Sequence, residues 1–573
     1  MIGLRVTALV NNVPTVLRFL PALTLFAMLG PVLAGLWGTV LPAFGHLPAA
    51  GLTGPSFDPF HELFRWSGLV DAVRLSVTTG VVATALSLMI VALITAGWSG
   101  TRPFRFMERA LSPLLSVPHA AAAFGLAFLI APSGWIARAL SPAITGWDRP
   151  PDLLIVQDPL GLAMIAGLVV KEVPFLLLMT IAAMGQAQPR RSLLVAQALG
   201  YGRITGWLKT VFPRVYSQIR LPVYVVIAYS MSVVDVAVIL GPSTPPTLSV
   251  QIVKWMGDPD LSMRLTGAAA ALLQLALVIL VLALWWLGER LIAALGNRWI
   301  QSGHRGQHDR IGRGFSLGLG ALAAVPVLLG LASLAVWSFA GFWSFPNVLP
   351  DGFSMRTWNR HGPDAFETMG ETFLVAGVAV ILALGLVLGC LEAEYRSGRQ
   401  MGRVGVWLLY LPLLVPQTAF LPGLQSLLLN VGADVGLAPV VFAHLVFVLP
   451  YVFLSLGDPW RSWDVRNATV AQALGASPVR VFWTIRLPML LRPILTALSV
   501  GVAVSVGQYL ATLLIGGGRV STLTTEAVAL ASGGDRRAIG VYGLLQTLAA
   551  LLPFTFALVL PTIIWRNRRG LHE

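Results

Sequence analysis

Long apolar runs recur along the chain, and the short breaks between them carry most of its charge. A helix needs about 20 such residues to cross a hydrocarbon core roughly 30 Å thick. The pattern therefore predicts twelve transmembrane helices, at residues 20 to 41, 73 to 97, 109 to 130, 160 to 184, 218 to 240, 266 to 287, 316 to 339, 370 to 391, 405 to 428, 437 to 457, 493 to 515 and 540 to 564. The first is too long for the apolar region of a signal peptide and has no clear small-residue cleavage site, so it is read as a span. The expected fold is an all-α integral membrane protein.

One phrase appears twice. Val195 to Gly200 and Val470 to Gly475 both read VAQALG, and the shift of 275 positions that superposes them also places Pro213 on Pro488 and Thr247-Leu248 on Thr522-Leu523. With small slips, Val173 to Phe175 falls on Leu449 to Tyr451, Ser116 to Pro118 on Leu414 to Pro416, and the LLQ ending at Gln274 on that ending at Gln546. The chain reads as an internal duplication. Six spans per half is an even number, so both halves enter the membrane in the same orientation, as parallel repeats able to leave a path between them. Residues 296 to 314, GNRWIQSGHRGQHDRIGRG, are basic, Gly-rich and without apolar periodicity, as a linker is. The expected division is 1–72 for an N-terminal region with the first span, 73–288 for a first transmembrane domain, 289–315 for the linker, 316–369 for the seventh span and an outer loop, 370–565 for a second transmembrane domain and 566–573 for a basic tail.

Hydrophobic residues make up 56% of the chain and charged ones 11%, with mean hydropathy +0.77, whereas roughly a quarter of a soluble domain is charged. Lys and Arg number 39 against 25 Asp and Glu, a net charge of +14. In a soluble chain that excess would suggest a nucleic-acid partner. Here most basic residues fall in alternate loops and most acids in the others, so the positive-inside rule accounts for the excess and no nucleic acid is expected. The same rule puts both termini and both VAQALG loops in the cytoplasm. Cys390 is the single cysteine and is read as a small core residue. His304 and His308 have helical spacing but lie in a polar, Gly-containing stretch without a carboxylate ligand set, so no metal site is expected.

Each VAQALG loop reads as a short helix interrupted by Gly200 or Gly475, then a second short amphipathic piece stopped by Pro213 or Pro488. Glycine permits the left-handed conformation that ends one helix and turns the chain into another. The pattern resembles the cytoplasmic EAA loop of binding-protein-dependent ABC importer permeases: Glu-Ala-Ala, three residues, Gly, nine residues, then Ile-x-Leu-Pro. Gly475, Ile485, Leu487 and Pro488 occupy those places in the second half, and Gly200, Phe212 and Pro213 in the first, with Thr210 at the Ile place. Only the last Ala of the Glu-Ala-Ala run is kept, as Ala196 and Ala471; Leu194 and Thr469 stand where the Glu would be. The resemblance extends along nearly the whole chain, because a fused pair of six-span halves is typical of the iron(III), thiamine and polyamine branch of type I importers. The stretches DVAVILGPSTPPTLSVQI and GQYLATLLIGGGRVSTLTTEAV look most like thiamine-like permeases of unassigned substrate.

The resemblance implies a permease in a bacterial cytoplasmic (inner) membrane, docked through its two loops on two copies of a P-loop ATPase and served by a periplasmic or extracellular substrate-binding protein. It also implies that a polar residue at the place of Asp235 and Gln508, next to Tyr509, faces the cavity between the halves. No cofactor is expected on this chain, ATP being bound by the partner subunits. The residues agree with that. A P-loop needs Lys after Gly, and none of Lys171, Lys209 and Lys254 follows one. Charges inside spans are costly and tend to mark pathways, which singles out Lys171, Glu172 and Asp235; for Lys171 and Glu172, pairing with each other or with a neighbouring helix is an equal alternative. Pro118, Pro174, Pro416 and Pro450 are expected to bend their helices. Thr247 to Pro259 and Thr522 to Asp535 are expected at the outer mouth, as a landing surface for the binding protein or as interfacial helices that cap the bundle. Two other classes remain open at this point: an ion-coupled secondary transporter with two parallel six-helix halves, and a membrane scaffold without transport activity.

Overall fold

The computed structural model describes residues 15–48, 51–187, 189–307, 309–433 and 436–564; the basic tail at 566–573 and His308 lie outside them. Its main helices are α1 (Thr15–Ala43), α2 (Leu69–Trp98), α3 (His119–Ile130), α4 (Leu162–Ala187), α5 (Pro189–Ala198), α6 (Arg203–Thr210), α7 (Phe212–Ser232), α8 (Asp235–Leu240), α9 (Leu248–Met256) and α10 (Met263–Gln301) before the linker. After it come α11 (Arg310–Phe339), α12 (Arg356–Ser397), α13 (Arg403–Leu414), α14 (Gln417–Asn430), α15 (Leu437–Arg461), α16 (Arg466–Ala473), α17 (Leu491–Val506), α18 (Leu510–Gly516), α19 (Leu523–Ala531) and α20 (Arg536–Ile564). Among the described residues nine helices are long and apolar enough to cross a membrane, or eleven when each of two sharply bent pairs counts as one span.

Each predicted stretch falls largely on helix, but four are not single rods; in 109 to 130 the chain leaves the helix before Pro118 and resumes it as α3. The stretch 218 to 240 divides into α7 and α8, which part at Val233 and Val234, and 493 to 515 divides into α17 and α18, which part at Gly507 to Tyr509. The stretch 405 to 428 bends by 81° between α13 and α14, where Pro416 caps the second helix. Pro118 likewise precedes α3. A proline lacks the N–H and disfavours a helical residue before it, so each marks a helix start. α4 and α15 run on through Pro174 and Pro450 without interruption.

The breaks near Val233 and Val506 are closed in the same way. Ser249 Oγ donates to the Val233 carbonyl at 2.9 Å, and Thr524 Oγ1 donates to the Val506 carbonyl. Those hydroxyls stand in the first turns of α9 and α19, the two short helices anticipated at 247–259 and 522–535. Each short helix is pinned in turn: the Leu248 N–H donates to Ser76 Oγ at 3.0 Å and the Leu523 N–H to Thr372 Oγ1 at 3.0 Å. Gln274 and Gln546 complete the pattern, donating to the Met231 carbonyl at 2.9 Å and to Thr524 Oγ1 at 2.5 Å. In an apolar surround such freed backbone groups must find partners inside the protein.

α1 packs with helices from late in the chain, α14 and α12, and α11 with helices from early in it, α3 and α2. Both crossings bring backbones together at glycine, as small residues allow. A Cβ on Gly35 would lie 2.2 Å from the Phe420 carbonyl oxygen, and one on Gly330 2.7 Å from the Gly125 carbonyl carbon.

Candidate functional site

The two VAQALG copies fold alike. α5 and α16 end one residue before a leucine and then a glycine in the left-handed region, with φ +84° at Gly200 and +87° at Gly475. The Gly200 N–H donates to the Gln197 carbonyl at 2.9 Å and the Tyr201 N–H to that of Ala196 at 3.1 Å; Gly475 and Ala476 repeat this with Gln472 at 2.9 Å and Ala471 at 3.0 Å. This is the Schellman arrangement, and it needs glycine. Ala196 and Ala471 are buried, whereas Val195, Leu199, Val470 and Leu474 point outward. Leu194 and Thr469, at the Glu place, are exposed.

Beyond the turn the loops diverge. In the first, α6 ends at Val211, Pro213 sits in the first turn of α7, and Phe212 packs between Trp207 and Tyr216 at ring distances of 5.8 and 5.6 Å. Pro213 thus opens the following helix rather than stopping the preceding one. In the second, the chain passes through a π turn at Phe482–Arg486 and three residues of helix holding Leu487 and Pro488, and bends by 72° into α17. Ile485 and Leu487 are half-buried against the core.

The anchors differ too. The end of α10 and the segment between it and α11 lie on the first loop: the Gly202 N–H donates to the Arg305 carbonyl at 2.9 Å, the Ile204 N–H to Asp309 Oδ2 at 3.0 Å, and Lys209 Nζ to the carbonyls of Trp299 and His304, both at 2.9 Å. Arg203 donates to the Ser99 carbonyl. Burial and the neighbouring Arg313 push its guanidinium below its ordinary value, and Asp309 offsets part of that. The second loop is held by Arg486, whose Nη1 lies 3.0 Å from Glu392 Oε2 and whose guanidinium is 3.9 Å from the Tyr395 ring and 4.3 Å from that of Trp460.

A second group of polar side chains lies within the bundle. Lys171 and Glu172 point to different partners. Lys171 Nζ donates to the carbonyls of Leu114 at 2.9 Å and Val117 at 2.5 Å, which the chain break before Pro118 leaves free. Glu172 Oε1 lies 3.5 Å from His119 Nε2, and the His119 ring is 4.8 Å from that of Tyr229. Asp235 opens α8 and is 6% exposed, with no ion pair among the described residues. Gln508 is buried and accepts from Gln417 Nε2 at 3.4 Å. Asp235 and Gln508 each stand two residues past the capped carbonyls of Val233 and Val506. Sequence reading missed His444, wholly buried on α15, whose Nδ1 is 2.7 Å from Ser505 and whose Nε2 is 2.9 Å from Thr512, one hydroxyl on each side of the α17–α18 break.

Gly314 to Gly318 spells G-x-S-x-G, the pattern of a hydrolase nucleophile turn. Here it lies inside α11, with Ser316 buried and donating to the Arg313 carbonyl at 2.8 Å, so no strand-to-helix turn presents the hydroxyl.

Residues 381–567 match the family described as binding-protein-dependent transport system inner membrane component. The chain is 31% identical over 545 residues to the inner membrane ABC transporter permease protein YnjC of Escherichia coli (strain K12), which covers 94% of this chain and 98% of that one. The chain belongs to this permease family. It is also 25% identical to the thiamine transport system permease protein ThiP of Salmonella typhimurium, over 83% of this chain and 86% of the relative. Against the putrescine transport system permease protein PotI of Escherichia coli the identity is 28%, over 27% of this chain and 58% of that one. No solved structure matches the chain. The permease is a multi-pass membrane component of an ABC-type transport system, not its catalytic ATPase subunit.

Proposed function

We propose that the permease forms the substrate pathway of an ATP-driven importer in a bacterial cytoplasmic membrane, and that the loops around Gly200 and Gly475 couple that pathway to two copies of a separate ATPase. The observation that carries this reading is the pair of Schellman turns, each ending a helix that buries Ala196 or Ala471 and exposes a valine and a leucine. In a chain of two parallel six-span halves both loops face the cytoplasm, as do the termini, and α9 and α19 lie at the opposite face where a substrate-binding protein delivers its load. Asp235, Gln508 and Tyr509 line the path, with Glu172 and His119 beside it and Lys171 holding the helix break that shapes it. A cargo among small soluble molecules is supported by the solutes that two relatives are named for, putrescine and thiamine.

Gly200→Pro and Gly475→Pro test the coupling. Proline cannot adopt the positive φ and lacks the donating N–H. Each variant should insert normally yet lose substrate-stimulated ATP hydrolysis when reconstituted with the ATPase and binding protein; unchanged hydrolysis in both would overturn the reading. Transport by vesicles that contain the permease without any ATPase would instead assign it to the ion-coupled carriers.

A further inference from the structure

The exposed side of the two loop helices carries a repeated charge that the coupling reading leaves unused. Arg191, Val195 and Leu199 follow each other at intervals of four residues, and so do Arg466, Val470 and Leu474, at the same register. Positions four apart share one face of a helix, so each loop presents a stripe of one guanidinium and two apolar side chains. Val195, Leu199 and Val470 are about 60% exposed and Leu474 is 83% exposed. Both arginines are exposed as well.

Neither arginine has an ion pair or a side-chain hydrogen bond among the described residues. No Asp or Glu occurs between Glu172 and Asp235, so the first loop has no acid of its own. The acids that come near it from elsewhere are taken: Asp309 accepts from the Ile204 N–H at 3.0 Å, and Glu289 pairs with Arg220 at 2.8 Å. In the second loop Asp464 accepts from the Arg466 backbone N–H at 2.9 Å rather than pairing with the guanidinium. Both arginines stand in the first turn of their helix, where the positive end of the helix dipole disfavours a cation. A cost met twice, at matching positions, in a duplicated phrase, points to an external partner present in two like copies. In the first loop the stripe also forms one wall of an open recess of about 750 Å³, shared with Tyr201, Arg214 and Ile300, where Arg214 adds a second guanidinium that has no ion pair among the described residues.

We propose that Arg191 and Arg466 each dock against a carboxylate on the partner ATPase, one on each copy, while the valine and leucine behind them fill an apolar groove. The charge of the contact is then reversed relative to a Glu-led loop: Leu194 and Thr469 leave the Glu place neutral, and the partner supplies the acid. This rests on the coupling reading above, and supplies its partner chemistry. Charge pairing of this kind sets register and approach more than total affinity.

The test uses the full-length permease in lipid nanodiscs with its purified ATPase. Arg191→Glu with Arg466→Glu should weaken association at least tenfold, and Arg191→Ala with Arg466→Ala should flatten its dependence on salt. Arg191→Lys with Arg466→Lys should keep association and form zero-length carbodiimide crosslinks to Asp or Glu of the ATPase. Intact association of the Glu variants, or no such crosslink, combined with loss of association on Leu199→Asp and Leu474→Asp, would overturn the carboxylate contact and leave the coupling reading standing. If none of these changes affects association, the coupling reading falls too. Association of the Glu variants that falls in nanodiscs of anionic lipid but not in those of neutral lipid would assign the arginines to the bilayer and equally overturn the proposal.

Discussion

Arg486, in the π turn of the second loop, is 3.0 Å from Glu392 near the end of α12, and both side chains are almost wholly buried. Arg396 reaches the other oxygen of the same carboxylate at 2.7 Å, and the rings of Tyr395, Trp460 and Trp463 enclose the guanidinium. Removing one member of a buried pair leaves the other uncompensated, at a cost of about 3 kcal/mol or more, whereas replacing both by apolar groups can be neutral. Glu392→Ala and Arg486→Ala should each lower the thermal unfolding midpoint in detergent. Glu392→Leu with Arg486→Met should recover much of the loss yet show weaker ATPase stimulation, since the loop then packs without its directional tie.

Lys171 should prove structural. Its ammonium satisfies carbonyls left free before Pro118, and a hydrogen bond to a charged group contributes about 1.5–3 kcal/mol. Lys171→Met, similar in volume, is expected to lower stability by about 2 kcal/mol, read as a lower unfolding midpoint. The ATPase should still bind it, because the change lies away from both loops.

Asp235 has no ion-pair partner among the described residues despite its burial. Asp235→Asn keeps its size and removes the charge. If the carboxylate lines the path, transport in proteoliposomes should fall at least tenfold while binding of the ATPase stays within twofold of wild type; equal transport would place Asp235 outside the path.

The crossing of α11 over α3 tolerates no side chain at its closest point. A Cβ on Gly330 would meet the Gly125 backbone at 2.7 Å, and forced overpacking costs about 1–3 kcal/mol. Gly330→Val is expected to lower the yield of folded protein and its unfolding midpoint, and Gly330→Ala to do so less, as measured by size-exclusion fluorescence after heating.

What the sequence makes legible is what local pattern encodes. Apolar runs show where helices lie, and VAQALG followed by glycine shows a turn that only glycine builds well. The splits at Val233 and Gly507 are not legible, because one polar residue at each, Asp235 or Gln508, does not by itself end a helix in an otherwise apolar run; the hydroxyls that close them, Ser249 and Thr524, stand some way along the chain. Lys171 is ambiguous for the same reason: the carbonyl of Val117 lies 54 positions earlier, and no spacing rule joins them. Arg486 occupies the variable place between Ile485 and Leu487, so the resemblance passes over it, and only folding brings Glu392 and three aromatic rings around it. The Asp235–Gln508 correspondence is only half legible: the shift of 275 positions carries Asp235 to Leu510, and it is the capped carbonyls of Val233 and Val506 that put Asp235 and Gln508 at like places.

The crossed packing of α1 and α11 also constrains the order of assembly. Thr24 on α1 meets Cys390 on α12 at 3.0 Å across 366 positions of chain. At roughly 5–20 residues per second of synthesis, that contact waits about 20 to 70 s after Thr24 is made. Until then α1 has lipid where α12 and α14 will stand, and α3 has lipid where α11 will stand. The early helices α2 and α3 are completed by α11, made after them, and the late helices α12 and α14 by α1, already waiting in the bilayer; a single chain keeps the two sets within reach of each other.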